Sequence, residues 1–405
     1  PRPSGDAPAP EPEPAGGSAP DALIERLRAA AADERRRLLE AWLQTAVAQT
    51  LGLDGPEPIA PGVSLLDLGL DSLMSLELRD RLELGLEVKL PINLLLEHPT
   101  VAALAERALD ALRLPARPDG ERAERGERAP AGGGAPRRSP LVAIQPGGEG
   151  SPFFCVHPFG GPVLCYTELA RHLGTERSFY GLQAVGLDDG AAPDDRIEDM
   201  AARYLEAIRT VRPAGPYLLG GWSLGGLVAF AMAHELERSG ERVALLAMID
   251  GYISSPSSPE RRLWQLVESA RMARPEMAYD ELRRLDEGAL TALVLGAARG
   301  VAPGFAEAVQ RLGAAHGRAA RSYVMPCYGG RVVYFRAAEQ PPPGPFGPVT
   351  EPYGTLYQPM AGISSQPIEL HEVPGSHHTM LREPHVRVLA ERLRERLLAA
   401  DVRPR

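Results

Sequence analysis

The chain has 405 residues, 44% of them hydrophobic, and a formal net charge of −9 at pH 7. This length suggests two or three domains, and the negative charge argues against nucleic acid as a partner. No apolar run approaches the roughly 18 residues of a membrane span, so we expect no membrane partner either. The three cysteines have neither metal-ligand nor disulfide spacing, which predicts no metal site and a reducing, cytoplasmic location.

Two stretches rich in proline, glycine and alanine, residues 1–20 and 114–139, divide the sequence. Because neither can bury enough apolar surface to offset the entropy of ordering, we expect both to be mobile tethers. The first stretch lacks an initial methionine and a signal segment, and it reads as a linker inside a longer polypeptide. The sequence therefore predicts a small module at about 21–113 and a larger one at about 140–405.

The small module has apolar residues at helical spacing throughout, which predicts a four-helix bundle with one long first connection. Its most informative stretch is LGLDSLMSLELRDRLE, residues 68–83. Met74, Leu78 and Leu82 recur there at i, i+4 and i+8, so they form a single stripe suited to the bundle core.

Three other residues of this stretch are not explained by the core. Leu73 and Leu76 lie off the stripe, which predicts a contact surface for another protein. Ser72 falls at the start of the helix, where unpaired N–H groups and the helix dipole favour a phosphodiester. In the alternative interpretation, Asp71 and Ser72 merely cap the helix.

The same stretch makes the small module resemble an acyl carrier protein. The motif G-L-D-S-L (69–73) is followed by M-x-x-E-L-R (74–79), and EHPTVAALA (97–105) is the family's usual lead into its last helix. The resemblance implies 4′-phosphopantetheine attached to Ser72 by a phosphopantetheinyl transferase. The L-D-S-L-M form is more similar to carriers of polyketide synthases than to peptidyl carriers.

In the larger module, short apolar runs alternate with longer amphipathic ones, which predicts a mostly parallel sheet covered on both faces. The alternation stops after residue 251 and resumes at RVVYFRA, residues 331–337. Residues 256–325 contain helical patterns and no strand candidate, so we expect a helical lid inserted above the sheet.

Gly221-Trp222-Ser223-Leu224-Gly225 matches G-x-S-x-G, follows the apolar run PYLLG and opens an amphipathic helix. This order of strand, turn and helix predicts a nucleophile elbow with Ser223 as the nucleophile, and a glycine-rich structural turn is the alternative. The oxyanion would need two backbone N–H donors, one from Leu224 and one from the early loop HPFGG, residues 157–161. That loop lacks the lysine and the spacing of a phosphate-binding loop.

A nucleophile elbow predicts an acidic residue and then a histidine further along the chain. Asp250 ends the next apolar run, at the sheet edge where functional groups collect, although it could instead begin a turn with Gly251. His377 and His378 follow the last predicted strand, in VPGSHHTML, and their spacing does not choose between them.

Residues 140–400 resemble the type I thioesterase domains that terminate nonribosomal peptide and polyketide assembly lines and have the α/β-hydrolase fold. The matching segments are CVHPFGGPVLCY, FYGLQAVGLD, GPYLLGGWSLGGLVAFAMA, LLAMID and VPGSHHTM. The resemblance implies His377 as the base, because the family's G-x-H-x-x-M pattern falls on Gly375, His377 and Met380. It also implies Phe159 as the second oxyanion donor. The sequence departs from the family pattern at Ser376, where an acidic residue is common.

Together the two resemblances imply the carrier–thioesterase end of a modular polyketide or hybrid polyketide/peptide synthase. Upstream modules would supply an acyl chain to Ser72, the carrier would dock on the thioesterase within the same chain, and Ser223, His377 and Asp250 would release the product by hydrolysis or cyclisation. The alternatives are a carrier and docking unit with a silent hydrolase fold, or a generic lipase or esterase. A reductive release domain would need a G-x-G-x-x-G after the first strand, which the sequence lacks.

Overall fold

The computed structural model describes residues 20–53, 59–65, 68, 70, 72–88, 90–91, 93–112, 139–187, 190–251, 303–339 and 363–401, with individual residues between 267 and 293. Contacts divide the chain into two compact units. The first contains the residues up to Leu90 and His98–Arg125, and the second contains Pro91–Glu97 and the chain from Gly126 onward. Almost all of the predicted linkers, 1–20 and 114–139, lies outside the described residues.

The helices before residue 113 are α1 (Pro20–Ala29), α2 (Ala32–Thr50), α3 (Ser72–Leu86), α4 (Leu94–Glu97) and α5 (Val101–Leu112). In the first unit, α2 packs against α3 and α5. Leu78 and Leu82 of the predicted stripe are fully buried and Met74 is partly buried. Periodicity therefore identified the core face of α3, as expected for an amphipathic helix.

Helix α1 is an addition to the predicted bundle. It packs against α2 and α3 and buries Leu27 completely. The Arg35 guanidinium donates a hydrogen bond from Nε to the carbonyl of Leu27 at 2.9 Å, which satisfies one of the last carbonyls of α1. An isolated helix of this length is marginal in water, so its stability depends on contacts that a local sequence pattern does not reveal.

In the described part of the second unit, seven strands form one sheet in the order β1-β3-β2-β4-β5-β6-β7. They are β1 (Leu141–Gln145), β2 (Gly150–Val156), β3 (Arg177–Leu182), β4 (Tyr217–Trp222), β5 (Val243–Ile249), β6 (Val332–Ala337) and β7 (Glu369–Val373). The edge strand β1 pairs antiparallel with β3, and every other neighbouring pair is parallel. The expected mostly parallel sheet is confirmed, and β1 is the strand that the sequence analysis did not identify.

Helices cover both faces of this sheet. Helices α7 (Ile197–Arg209) and α8 (Leu224–Arg238) share one core with the alternate strand residues Phe154, Leu219 and Leu246. The intervening residues of the same strands are also buried and, because side chains alternate along a strand, point to the other face. Helix α6 (Thr167–Leu173) packs there with the last helix, α11 (His385–Asp401), which also contacts β5. Because helices cover both faces of the sheet, its strands are apolar at nearly every position.

Part of the predicted lid, residues 256–325, lies outside the described residues. Its described portion contains helices α9 (Tyr279–Leu282) and α10 (Pro303–Ser322) and no strand. A small buried cluster is formed by Val267, Ala270, Leu282 and Leu290. Among the helices that the structure describes, none combines the length and apolar character needed to cross a bilayer.

Candidate active site

Ser223 is the single residue between the end of β4 at Trp222 and the start of α8 at Leu224. Its backbone has φ 58° and ψ −124°, a conformation that non-glycine residues rarely adopt. Two hydrogen bonds hold the turn: the Ser223 N–H donates to the carbonyl of Ile249 at 3.0 Å, and the Gly226 N–H donates to the carbonyl of Ser223 at 3.1 Å. This is the sharp strand-to-helix turn of a nucleophile elbow.

The two glycines of G-x-S-x-G are required by close backbone contacts. A Cβ at Gly221 would lie 2.2 Å from the carbonyl carbon of Gly225, and one at Gly225 would lie 2.2 Å from the carbonyl oxygen of Val156. Both distances are far below van der Waals contact, and both neighbours are backbone atoms that cannot move aside. The motif therefore allows α8 to start directly against β2 and β4.

Asp250 follows β5 just as Ser223 follows β4, and the last paired residues of these neighbouring parallel strands are Trp222 and Ile249. Asp250 is buried and has φ 43°. Its carboxylate accepts two hydrogen bonds: Oδ1 from the Ala337 N–H at 3.0 Å, and Oδ2 from Nδ1 of His377 at 2.7 Å. The aspartate is therefore oriented by the adjacent strand β6 and points at one specific histidine.

His377 lies in the loop after β7, and its side chain is mostly buried. Since a carboxylate only accepts hydrogen bonds, the bond to Asp250 places the proton of a neutral ring on Nδ1 and leaves the lone pair on Nε2. The Trp222 ring lies against His377, with centroids 5.0 Å apart. His378 packs edge-on against His377 and Trp222 instead. The structure thus brings His377, and not His378, to Asp250.

Ser376, the departure from the family pattern, closes a local turn in this loop. Its N–H donates to Oγ1 of Thr379 at 2.8 Å, and the two hydroxyl oxygens are 3.1 Å apart. The fully buried Met380 anchors the end of the turn. A serine at position 376 therefore supports the His377 loop without an acidic side chain.

The loop HPFGG leaves β2 and is anchored by His157, which is completely buried. The His157 ring donates from Nδ1 to the carbonyl of Pro158 at 2.8 Å, and its Nε2 accepts the hydroxyl proton of Tyr204 at 2.7 Å. Burial lowers the pKa of His157 to about 4. A neutral imidazole with both nitrogens occupied serves as a structural anchor and not as a general base.

The predicted oxyanion donors lie on two different segments. Phe159 is in the loop that follows β2, and Leu224 is the first residue of α8. Among the described residues, no protein acceptor pairs with the backbone N–H of Phe159 or with that of Leu224. Two positive-φ glycines, at 95° for Gly160 and 101° for Gly161, reverse the chain just after Phe159. The Phe159 ring is about half exposed and lies edge-on to His316 of α10 with centroids 6.0 Å apart.

Tyr166 is a residue of this site that the sequence analysis did not single out. Its buried hydroxyl donates to the carbonyl of Val156 at 2.5 Å and accepts the Trp222 N–H at 2.9 Å. Burial raises the pKa of this hydroxyl well above its ordinary value, so it keeps its proton. In the sequence, the only sign that Tyr166 belongs to this site was its position at the end of the CVHPFGGPVLCY segment.

Ser72, the predicted attachment residue, is the first residue of the 15-residue helix α3. Its side chain and those of Leu73 and Leu76 lie outside the described residues, as does Asp71 altogether. The first turn of α3 carries no acidic residue. The position of Ser72 at a helix start fits a phosphodiester, because helix N-termini favour anions.

The described residues also contain one cluster with metal-ligand character, formed by Glu168, His172 and Glu383. Its carboxylates already pair with Arg171 and Arg387, and His172 pairs with Glu383 at 2.7 Å. Ion pairing therefore accounts for this surface cluster.

Comparisons with known proteins identify both units. Residues 151–343 match the Thioesterase domain family, and residues 41–108 match the Phosphopantetheine attachment site family, which indicates a covalently attached 4′-phosphopantetheine. A dimodular nonribosomal peptide synthase of Bacillus subtilis (strain 168) is 42% identical over 186 residues, or 46% of this chain and 7% of that protein. An indigoidine synthase of Dickeya dadantii (strain 3937) is 36% identical over 199 residues, or 49% of this chain and 12% of that protein.

The chain thus spans only a small part of the curated relatives that it matches. A crystal structure of a holo four-domain nonribosomal peptide synthetase bound to AMP and glycine has a TM-score of 0.55 and 22% identity. The match covers 88% of this chain and 26% of the chain in that crystal structure. At 22% identity, this likeness shows a shared fold and no more. The chain is a phosphopantetheine-binding carrier domain joined to a thioesterase domain of the α/β-hydrolase class.

Proposed function

We propose that the thioesterase domain releases a finished chain from a thioester through a covalent ester on Ser223. The observation that carries this proposal is the pairing of Asp250 with His377 beside the strained turn that holds Ser223. A serine hydroxyl is a weak nucleophile until a neighbouring base accepts its proton. An imidazole oriented by a buried carboxylate is such a base.

In the first step, Nε2 of His377 accepts the proton of the Ser223 hydroxyl while Oγ forms a bond to the thioester carbonyl carbon. The bond from Nδ1 to Asp250 orients the ring and stabilises its positive charge. The N–H groups of Leu224 and Phe159 stabilise the negative charge on the carbonyl oxygen. When the C–S bond breaks, His377 gives its proton to the departing sulfur, and the chain remains on Ser223 as an ester.

In the second step, His377 removes a proton from the group that attacks this ester. As the bond to Ser223 breaks, Oγ takes the proton from Nε2 and the enzyme is regenerated. Attack by water gives a free acid, whereas attack by a hydroxyl or an amine of the chain itself gives a lactone or a lactam.

The carrier domain delivers the chain to this site. When attached to Ser72 by a phosphopantetheinyl transferase, 4′-phosphopantetheine supplies the thiol to which upstream modules join the chain. Leu73 and Leu76, beside Ser72 on α3, contact the thioesterase domain during delivery. Because residues 114–139 join the two domains, delivery is intramolecular and occurs at a high effective concentration.

The synthase to which this chain belongs is of the hybrid polyketide/peptide kind. The L-D-S-L-M form around Ser72 favours a polyketide carrier. The names of the relatives that match the chain favour a peptide synthetase. A hybrid assembly line accommodates both observations.

Mass spectrometry of the full chain tests the proposal. After incubation with CoA and a phosphopantetheinyl transferase, we expect the arm on Ser72, and an acyl-pantetheine with a terminal hydroxyl should then give an acyl adduct on Ser223. Ser223→Ala should abolish adduct and product while leaving the loading of Ser72 unchanged. A loaded Ser72 without any Ser223 adduct would instead support a silent hydrolase fold, and faster hydrolysis of free lipid esters would support a generic esterase.

The same reaction distinguishes the two kinds of release. Exclusive formation of the hydroxy acid would identify hydrolysis of this substrate, and a product lighter by one water would identify the lactone.

A further inference from the structure

The parallel ladder between β2 and β4 ends at the pair Val156 and Gly221. Beyond this pair the two chains separate: β2 continues into the loop that contains Phe159, and β4 continues through Trp222 to Ser223. The two proposed oxyanion donors lie on these separating segments, Phe159 after β2 and Leu224 directly after Ser223. The separation also leaves the Trp222 N–H and the Val156 carbonyl without a partner from the ladder.

The Tyr166 hydroxyl satisfies both of these groups. It donates to the Val156 carbonyl at 2.5 Å and accepts the Trp222 N–H at 2.9 Å, so it bridges the two strands where their own pairing stops. A tyrosine hydroxyl has one proton to donate and lone pairs to accept, which is what this bridge requires.

Tyr166 is itself rigidly held. It is fully buried at the end of a 3₁₀ turn, Leu164–Tyr166, and its ring packs against Phe179 of β3 with centroids 6.0 Å apart. The Val156 carbonyl that it binds also touches the start of α8, because a Cβ on Gly225 would lie only 2.2 Å from this oxygen. A shift of the Val156 carbonyl would therefore displace the first turn of α8, which contains the Leu224 N–H.

We propose that Tyr166 is a positioning residue whose hydroxyl sets the separation between the nucleophile turn and the Phe159 loop, and hence between the two oxyanion donors. This inference rests on the proposed release through Ser223. Donors of this kind stabilise the transition state only within about 2.7–3.1 Å of the oxyanion. An error of about 1 Å in such a site can cost roughly a hundredfold in rate.

The test is Tyr166→Phe in the full chain, with Tyr217→Phe as the matched control. Tyr217 is also fully buried and lies at the opposite end of β4, where its hydroxyl donates to Glu241 at 3.1 Å. With an acyl N-acetylcysteamine thioester, we expect Tyr166→Phe to lower kcat by about tenfold or more and to change KM less than about twofold. An alkyl boronic acid, which forms a tetrahedral adduct on Ser223, should lose affinity by a similar factor. Tyr217→Phe should leave all three quantities unchanged.

A folded Tyr166→Phe variant with unchanged kcat, or with a raised KM alone, would overturn the inference, as would a loss of kcat without a loss of boronate affinity. If this variant does not fold, Trp222 can be replaced by its α-hydroxy analogue, which puts an ester oxygen in place of the N–H that donates to Tyr166 and keeps every side chain. A lower kcat then supports the inference and an unchanged kcat overturns it. Turnover that persists in Ser223→Ala would refute release through Ser223 itself, whatever the Tyr166 result.

Discussion

Ser223 and Asp250 are non-glycine residues with positive φ at the carboxyl ends of neighbouring strands. Such backbone conformations cost roughly 1–3 kcal/mol each and persist only where the surrounding structure holds them. Here the Ser223 N–H is bound by Ile249 and the Asp250 N–H by Phe335, at 3.0 and 2.7 Å. The sheet thus maintains the backbone strain at both positions, and both residues belong to the proposed catalytic site.

The pairing of Asp250 with one histidine gives a prediction at this scale. His377→Ala should lower kcat/KM for an acyl thioester by about a thousandfold or more, because it removes the proposed base. His378→Ala should lower it by less than about tenfold, since His377 is the histidine bonded to Asp250 and His378 packs beside it. Steady-state kinetics of the two variants check this, and equal losses would contradict the assignment.

At the scale of elements, α10 is the part of the predicted lid region that meets the Phe159 loop. A Cβ on Gly161 would lie 3.3 Å from Leu312, and one on Gly313 would lie 3.2 Å from the Phe159 ring. His316, one turn further along α10, stacks on His157 with centroids 5.0 Å apart. The loop that carries a proposed oxyanion donor is therefore held between the sheet and α10.

Two glycines of α10 offer a matched test of this contact. Gly313→Ala should stabilise the helix by about 1 kcal/mol but displace the half-exposed Phe159 ring, and so reduce kcat roughly severalfold. Gly317→Ala should stabilise α10 similarly without affecting kcat, because its Cβ would meet only the flexible Arg321 side chain at 3.2 Å. Thermal unfolding and kinetics measure both effects. An undiminished kcat in Gly313→Ala would show that the Phe159 contact has no catalytic consequence.

At the scale of the whole molecule, a carrier domain and a thioesterase domain share one chain. A tethered substrate reaches a site at an effective concentration in the millimolar range, which a free partner at micromolar concentration does not match. If the proposed release is correct, joining the two domains favours release of chains that this carrier holds over chains on other carriers.

Cleavage between the domains tests this advantage. A protease site introduced within residues 114–139 and cut after folding should slow release from the loaded carrier by about a hundredfold at roughly 1 μM protein. Hydrolysis of a small acyl thioester should not change, since the proposed catalytic residues stay intact. Release should recover when excess loaded carrier is added. Equal release before and after cleavage would contradict a role for the tether.

Much of the fold and site was predictable from local pattern. Alternating apolar runs predicted the parallel strands, and periodicity predicted the core stripe of α3, because both reflect burial of one or two faces of an element. The edge strand β1 and helix α1 were not predicted, because they are short and depend on packing partners distant in sequence. Asp250 and His377 are 127 residues apart and Tyr166 and Trp222 are 56 apart, so no local pattern reports their contacts.

The sequence by itself determined which reactive groups the protein has. They are a serine at a strand-to-helix turn between glycines, a downstream aspartate, two adjacent histidines further on, and a second serine at the start of a carrier helix. These features are local, because tight turns and helix starts constrain neighbouring residue types directly. The tertiary structure decided the geometry: Asp250 binds His377, His157 is a neutral anchor, and Tyr166 bridges β2 and β4. Those outcomes follow from strand order and packing, which bring together residues that are remote along the chain.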